Sequence, residues 1–411
     1  MEHFEDNTLK TKILFVTNLS VNPLNGGVER ITQILSKLLK DKGYEVICLA
    51  LNQKGYSDNN YGVPQYFFPS SNIFSLENVI YYNDFLSKNN IDIIINQVGN
   101  TKISYLFLNI NSEIKKRIKI ISVCHNKPLP NYSDNYRYIL LPYKIETSIN
   151  SIVKSIAKII LFPIRRFWFP KEELNFRKNL YSFVVNQSDK FVVLSSKYIP
   201  EIQSVTHYNN FEDKIVVIPN ANTYCSDNEV CYEKRKQVLY VGRFDPSQKR
   251  PDLLLKIWKI IYKNHPDWEL IFVGTGPMES QMNSYVKRHR LKRVYFKGAI
   301  DPLEYYHKAS IIALTSMFEG FPMVLTEAMQ NEVVPILFDS FGAASDVVIH
   351  DKTGLLVTPY DINEFALKLS ELMQNETLRY KLSKSAFEYV KKFDIQNIII
   401  EWEKLIKSIN Y

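Results

Sequence analysis

Short runs of β-branched and aromatic residues alternate with longer segments of helical periodicity along the whole chain. The opening runs are KILFVT, VERITQILSKLLKDKG and YEVICLAL, and strand, helix and parallel strand follow one another in this way in βαβ units. Further strands are predicted at 92–96, 118–124, 191–195 and 215–219. The economical inference is a parallel sheet covered by helices.

A polar stretch at 220–237 interrupts the alternation, which then resumes with VLYVG, LIFVGTG, VYFKG, IIALTS and VVPILF as predicted strands. The sequence therefore predicts an α/β protein of two tandem Rossmann-like, doubly wound domains that face one another across a cleft. We place the N-terminal domain at 1–220 and the C-terminal domain at 221–394. In such domains the ligand lies at the carboxyl ends of the strands.

Length and composition agree with this organisation. A chain of 411 residues is expected to form two or three domains, and 45% hydrophobic with 23% charged residues is ordinary for a folded soluble protein. The net charge of +8 favours a polyanionic partner, which is a phosphorylated ligand, an anionic membrane surface or a nucleic acid. Because the basic residues are dispersed and no recognition module is present, we do not expect nucleic acid.

The cysteines and the apolar runs indicate where the protein works. Four cysteines without CxxC or Cys/His spacing predict reduced thiols and no metal site. The first residues, MEHFEDNTLKTK, lack the apolar region of a secretory signal, and no apolar run reaches the roughly 18 residues of a spanning helix. We expect a cytoplasmic protein without a transmembrane helix.

The segment at 151–178 departs from the βαβ pattern because it combines apolar and aromatic residues with several cations. A basic amphipathic surface of this kind can lie on the anionic inner face of the plasma membrane. The alternative is an ordinary helical pair whose aromatic residues belong to the core. Both interpretations stay open.

The stretch FEGFPMVLTEAM places Glu319 and Glu327 eight positions apart around a Gly-Phe-Pro bend. Eight residues of continuous helix span about 12 Å, more than the roughly 5–9.5 Å between glycosidase carboxylates, so a hydrolase pair is disfavoured. Pro322 suits the first turn of a helix that continues through Ala328, which puts Glu319 in the preceding loop and Glu327 on the helix. The amides at the helix start attract phosphate.

Three further elements follow predicted strands. In VGRFDPSQKR a strand ends at Gly242, and Arg243 and Lys249 form a candidate anion clamp, the alternative being a solvated loop. In LNGGVERIT a glycine pair, Gly26 and Gly27, opens a helix and aims amides at a ligand, the alternative being a plain βα turn. His125 directly follows a strand, where cleft residues of such sheets lie; a structural histidine is the alternative.

Together these elements resemble the retaining nucleotide-sugar glycosyltransferases of the family 4 type, which have the two-Rossmann-domain GT-B fold. The likeness covers most of the chain and is strongest at 237–361. Its most specific mark is the E-x7-E motif, met by Glu319 and Glu327. The resemblance implies that Glu319 lies beside the donor sugar and that Glu327 holds the ribose of the nucleotide.

The resemblance also implies roles for the other candidates. Arg243 and Lys249 would bind the diphosphate, and His125 would lie close to the anomeric carbon, so that Glu319, His125, Arg243 and Lys249 form the catalytic group. Further donor or acceptor contacts are implied for Gly26, Gly27, Ile300, Gly320, Phe321, Met323 and Val324. FGAASD at 341–346 departs from the family's Gly-Gly-acid sequence and leaves the donor sugar open.

The predicted function is transfer of a hexose with retention from a nucleotide diphosphate donor, expected to be a UDP-sugar, to a saccharide acceptor. No metal and no cofactor are expected. A lipid-linked acceptor is preferred, in the synthesis of a bacterial cell-surface polysaccharide such as capsule, O-antigen or lipopolysaccharide, with peripheral binding to the membrane. The resemblance implies that the helix at 395–411 packs back on the N-terminal domain. The alternatives are a nucleotide-sugar epimerase and a catalytically silent binding subunit.

Overall fold

The structure of the protein is a computed structural model that describes residues 10–54, 61–129, 162–206, 211–224 and 233–409. For 162–170 and 211–212 it describes the backbone alone. Of the basic aromatic segment, 151–161 lies outside the described residues, and the rest forms the first part of a helix. The choice between membrane surface and core for this segment therefore stays a prediction.

The chain divides into two compact units. The first consists of the described residues within Met1–Pro128, Arg177–Thr223 and Ile395–Tyr411. The second consists of those within Leu129–Phe176 and Tyr224–Asp394. The C-terminal helix belongs to the first unit, where Lys42 and Glu403 form an ion pair at 3.3 Å.

The first unit contains a seven-stranded parallel sheet in the order β3-β2-β1-β4-β5-β6-β7. Its strands are β1 (Lys12–Leu19), β2 (Glu45–Asn52), β3 (Gln65–Phe67), β4 (Ile93–Asn96), β5 (Lys119–Cys124), β6 (Lys190–Val193) and β7 (Ile215–Val217). The central strands are buried along almost their whole length, as expected for strands covered on both faces.

Helices connect these strands, and the first of them shows why the pattern folds in this way. Ile31, Leu35 and Leu39 recur at a spacing of four and are all buried, so one face of the helix packs on the sheet. The α-helices described in this part of the chain are α1 (Gly27–Asp41), α2 (Leu76–Lys88), α3 (Ser104–Phe107), α4 (Ser112–Arg117), α5 (Phe162–Gln187), α6 (Ile199–Thr206) and α7 (Phe211–Lys214).

The second unit contains a six-stranded parallel sheet in the order β10-β9-β8-β11-β12-β13. Its strands are β8 (Arg235–Val241), β9 (Glu269–Val273), β10 (Val294–Phe296), β11 (Ala309–Leu314), β12 (Val334–Phe338) and β13 (Leu355–Val357). Both sheets are parallel and helix-covered, so the predicted pair of doubly wound α/β domains is confirmed.

The helices after β8 are α8 (Pro251–Ile261), α9 (Glu279–Arg288), α10 (Leu303–Lys308), α11 (Met323–Gln330), α12 (Ala344–Val347), α13 (Ile362–Gln374), α14 (Glu376–Val390) and α15 (Ile395–Ile409). The core of the second unit is one continuous cluster, with Trp258 and Trp268 among its largest fully buried side chains. This packed core fixes the strand ends from which the candidate site is built.

Candidate active site

Strand order reverses at one place in each sheet. β1 lies between β2 and β4, and β8 lies between β9 and β11, so successive connections leave in opposite directions at these strands. In doubly wound sheets a ligand binds outside the carboxyl ends of the strands at this reversal. In the first unit Gly26 and Gly27 follow β1, and His125 follows β5. The other predicted site residues belong to the second unit.

The central contact of the second unit is an ion pair between Lys249 and Glu319. The Lys249 Nζ donates to Oε1 of Glu319 at 2.6 Å, and the side chains are 19% and 6% exposed. Gln248 adds a donor through its Nε2, which lies 3.3 Å from Oε2 of the same carboxylate. Because Lys249 follows β8 and Glu319 follows the neighbouring β11, sheet order brings together residues 70 positions apart.

The loop that carries Lys249 is shaped by Asp245. Its Oδ1 accepts from the backbone amides of Ser247 and Gln248 at 2.9 and 2.7 Å. Burial acts to raise the pKa of Asp245, but these hydrogen bonds and nearby Arg243 outweigh it and hold the pKa below its usual range. Arg243 itself is exposed, unlike Lys249.

Glycines allow the loops after β8 and β9 to interlock. Gly274 has φ of +137°, and a Cβ at this position would lie 2.0 Å from the carbonyl oxygen of Gly242. The Phe244 amide donates to the carbonyl of Thr275 at 2.8 Å and fastens the two loops. The sequence interpretation missed Gly274, although the GTG after the strand LIFV was a visible signal for close backbone approach.

Helix α11 begins at Met323, with Pro322 immediately before it as the N-cap residue. The expectation that Pro322 lies inside the first turn is wrong by one residue, because its ψ of 81° is not helical. Glu319 lies in the loop and Glu327 on the helix, as expected. The Met323 amide donates to the carbonyl of Phe321 at 3.0 Å, so this predicted phosphate donor makes a bond within the loop.

Glu327 points into the protein and is 1% exposed. Tyr306, which is 0% exposed, donates its hydroxyl to Oε2 of Glu327 at 2.9 Å. At the end of the same helix, Nε2 of Gln330 donates to the carbonyl of Tyr224 at 3.0 Å and to Oδ1 of Asp394 at 3.4 Å. Sequence analysis identified Glu327 but not these neighbours.

The remaining candidates of the second unit differ in exposure. Gly320, Phe321 and Met323 are buried, Val324 is partly buried, and Ile300 is 48% exposed. The ring of Phe321 makes an edge contact with Phe393 at 5.1 Å between centroids, which fixes the loop before α11.

In the first unit, the Nε2 of His125 is hydrogen bonded to Oε1 of Gln97, the residue that follows β4. Gln97 is buried, and its own Nε2 has no partner among the described atoms. Burial lowers the pKa of His125 to about 4, so the imidazole is neutral near pH 7. Sequence analysis missed Gln97; the polar pair that ends the apolar strand IDIII was the available signal.

Gly26 precedes α1, and Gly27 is the first residue of that helix. A Cβ on Gly26 would lie 2.9 Å from Oε2 of Glu29, so the carboxylate packs against this glycine. Burial raises the pKa of Glu29, against a smaller lowering by its own backbone amide. Glu29 was not among the predicted site residues.

Two properties of the described residues concern metal ions and membranes. Within these ranges no three carboxylate, imidazole or thiol side chains converge as a metal site requires. Where the structure describes helices, none combines the length and apolar character needed to cross a bilayer.

The fold and the E-x7-E helix define a class, the glycosyltransferases. Residues 25–221 match the model described as Glycosyltransferase Family 4, and residues 226–389 match the model described as Glycosyl transferases group 1. The chain belongs to the GT-B glycosyltransferases of the family 4 type.

Two relatives illustrate the likeness in sequence. The amylovoran biosynthesis glycosyltransferase AmsD of Erwinia amylovora is 24% identical over 93% of this chain and 96% of its own. A Campylobacter jejuni enzyme, GalNAc-alpha-(1->4)-GalNAc-alpha-(1->3)-diNAcBac-PP-undecaprenol alpha-1,4-N-acetyl-D-galactosaminyltransferase, is 29% identical over 55% of this chain and 59% of its own.

A solved structure shares the fold across both chains. HepE of Anabaena, in complex with UDP and glucose, superposes with a TM-score of 0.73 at 16% identity. The superposition covers 97% of this chain and 100% of the other.

Proposed function

We propose that the protein transfers a hexose with retention from a UDP-sugar to the hydroxyl of a saccharide. The observation that carries the proposal is the Lys249–Glu319 pair, which lies at the strand reversal of the second unit, directly before the helix that presents Glu327. A cation for the diphosphate and two carboxylates for hydroxyl groups are the side chains that such a donor needs.

Lys249 and Arg243 would have the same role on the donor. Negative charge grows on the diphosphate as its bond to the anomeric carbon breaks, and fixed cations stabilise that charge. Lys249 is held at the site by Glu319, whereas Arg243 is exposed and reaches from the same loop. These two cations and the Val324 amide in the first turn of α11 are proposed to stabilise the leaving group without a metal.

His125 would act as a neutral group on the acceptor side. With its Nε2–H directed at Gln97, the imidazole keeps a lone pair on Nδ1 that can accept a hydrogen bond from a sugar hydroxyl. In the proposed front-face route, the acceptor oxygen bonds to the anomeric carbon on the side that the diphosphate leaves. The acceptor proton passes to the departing phosphate oxygen.

The proposed acceptor is a lipid-linked saccharide of a bacterial cell-surface polysaccharide. The names of the two relatives support this class, since one belongs to amylovoran biosynthesis and the other is named for an undecaprenol-linked saccharide. UDP and glucose in the structural relative support the donor class. A protein with a net charge of +8 that uses such an acceptor would bind peripherally to the anionic inner face of the membrane.

The test is calorimetric titration of the protein with UDP-, GDP- and ADP-sugars in the presence of a chelator. The parent should bind the UDP-sugars, and Glu327→Ala should lose most of that affinity. Glu371→Ala, an exposed glutamate on α13, is the matched control and should bind as the parent does. Binding that needs a divalent cation would contradict metal independence, and no binding in the panel would contradict the donor site.

Product analysis tests the rest of the proposal. Proton NMR of the glycoside should show the same anomeric configuration as the donor. Inversion would exclude the front-face route. Conversion of the donor to an isomeric nucleotide-sugar without an acceptor would favour the epimerase alternative.

A further inference from the structure

We propose that Tyr306 is the positioning residue of Glu327 and thereby determines how strictly the site requires a ribose on the nucleotide. The inference rests on the proposed function, which assigns Glu327 to the ribose hydroxyls. It adds that a residue 21 positions earlier, on another helix, orients that carboxylate.

The contact itself is well formed. The Tyr306 hydroxyl donates to Oε2 of Glu327 at 2.9 Å, and both residues are at most 1% exposed. A buried carboxylate needs donors, and a hydrogen bond to a charged acceptor is among the stronger ones in proteins. Water has little access to replace this donor, so the phenol helps to hold the orientation of the carboxylate.

The tyrosine ring is in turn fixed by its surroundings. Tyr224 makes an edge contact with the Tyr306 ring at 6.1 Å between centroids, and its hydroxyl donates to Oδ1 of Asp301 at 2.8 Å. The same Oδ1 accepts from the amide of Leu303 at 3.0 Å, at the start of α10. The helix that carries Tyr306 is therefore anchored at its N-terminal end.

Lys234 joins the C-terminal ends of the two helices. Its Nζ donates to the carbonyls of Tyr306 and His307 at 2.9 and 3.0 Å, and also to the carbonyl of Asn331. A cation suits helix C-termini, where carbonyls lack intrahelical partners. Because α10 ends at Lys308 and α11 at Gln330, one ammonium group links the ends of the helices that carry Tyr306 and Glu327.

This arrangement has a consequence for ligand selection. Two adjacent ribose hydroxyls can donate to one carboxylate only if its plane faces them, since hydrogen-bond strength depends on direction. A carboxylate that rotates freely would bind ribose less well and would lose little when one hydroxyl is missing. The phenol hydroxyl therefore acts on specificity without touching the ligand.

The experiment compares the parent with Tyr306→Phe, using UDP, 2′-deoxy-UDP and 3′-deoxy-UDP as probes in calorimetric titrations. Tyr306→Phe keeps the buried ring and removes the donor. UDP affinity should fall roughly 5- to 20-fold, whereas the deoxy compounds should change less than about 2-fold. Tyr305→Phe, the same change one residue away, should leave all three affinities unchanged.

Lys234→Gln is a second variant that leaves the phenol in place and loosens the helix ends. As in Tyr306→Phe, the affinity for UDP should fall more than the affinities for the two deoxy analogues. Unchanged discrimination in Tyr306→Phe, while the parent binds UDP, would overturn the inference and leave the proposed function standing. An equal loss for all three probes would show a merely structural role. No UDP binding by the parent would overturn the donor site, and the inference with it.

Discussion

The ammonium of Lys249 lies 2.6 Å from Oε1 of Glu319, and the two residues follow neighbouring strands of the second sheet. Neither side chain is well solvated, so each charge stabilises the other in a place where water does so poorly. The pair therefore has two roles. The contact that holds together the loops after β8 and β11 also positions the Lys249 cation that is proposed to bind the diphosphate.

The first prediction concerns this coupling. Lys249→Ala should reduce the free energy of unfolding by about 1–3 kcal/mol, because it leaves the Glu319 carboxylate without its cation. Adding Glu319→Gln should recover part of that loss, and a double-mutant cycle by urea unfolding measures it. Strictly additive effects would mean that the pair contributes nothing to stability.

The second prediction separates the two cations. Arg243 is exposed, so Arg243→Ala should change the free energy of unfolding by less than about 0.5 kcal/mol. Both Arg243→Ala and Lys249→Ala should weaken UDP-sugar binding and slow transfer, since both remove positive charge from the proposed diphosphate site. Isothermal calorimetry and urea unfolding on the same preparations distinguish the roles. Unimpaired binding by both variants would contradict the site assignment.

The third prediction follows from the low pKa of His125. Burial holds this pKa at about 4, whereas an unfolded histidine titrates near 6.5. The unfolded chain therefore takes up a proton first as the pH falls, so stability should decrease from about pH 6.5 down to about 4, by up to about 3 kcal/mol. Above pH 7 the residue has no such effect.

Two variants test whether His125 causes this pH dependence of stability, by urea unfolding at several pH values and by histidine NMR. His125→Asn should remove that component of the pH dependence. Gln97→Glu should place a carboxylate against the imidazole and raise the pKa of His125, which narrows the pH interval over which stability is lost and makes the loss smaller. A histidine resonance that titrates identically in Gln97→Glu and the parent would show that the two side chains are not in contact.

The fourth prediction separates steric from conformational effects at two glycines. In Gly274→Ala the new Cβ would meet the Gly242 carbonyl oxygen at 2.0 Å, so the loops after β8 and β9 must separate. Gly298→Ala is the matched control, because φ is +77° there but nothing lies within 4 Å of the added Cβ. The control should lose only about 1–2 kcal/mol of stability. Gly274→Ala should lose clearly more and should weaken UDP-sugar binding.

Much of the fold could be predicted from local patterns. Strands such as Ile93–Asn96 and Lys119–Cys124 carry continuous apolar runs between polar residues, and the sheets keep them buried. The three-residue strands Ile215–Val217 and Val294–Phe296 were predicted, whereas Gln65–Phe67 and Leu355–Val357, which are equally short, were not. Pro322 was placed one residue too far inside its helix because sequence does not reveal ψ.

The candidate site divides in the same way. Glu319 and Glu327 lie within one motif, and Lys249 follows a recognisable strand, so sequence could find all three. The contacts of Tyr306 and Gln97 could not be predicted, since their partners are 21 and 28 residues away and the contacts depend on which elements become neighbours. An isolated tyrosine in a helix has no local signal of its role, and the polar pair after the strand IDIII indicates a strand end without identifying the partner of Gln97.

Gln330 has a practical consequence for anyone who wishes to prepare the second unit by itself. One amide group on the helix that carries Glu327 binds both Tyr224 and Asp394, which are the first and last residues of the long segment of that unit. This glutamine therefore connects the two ends of the segment. A fragment trimmed inside either end would lose one of these hydrogen bonds. The helix that carries Glu327 would then be held less firmly, although Glu327 itself had not been altered.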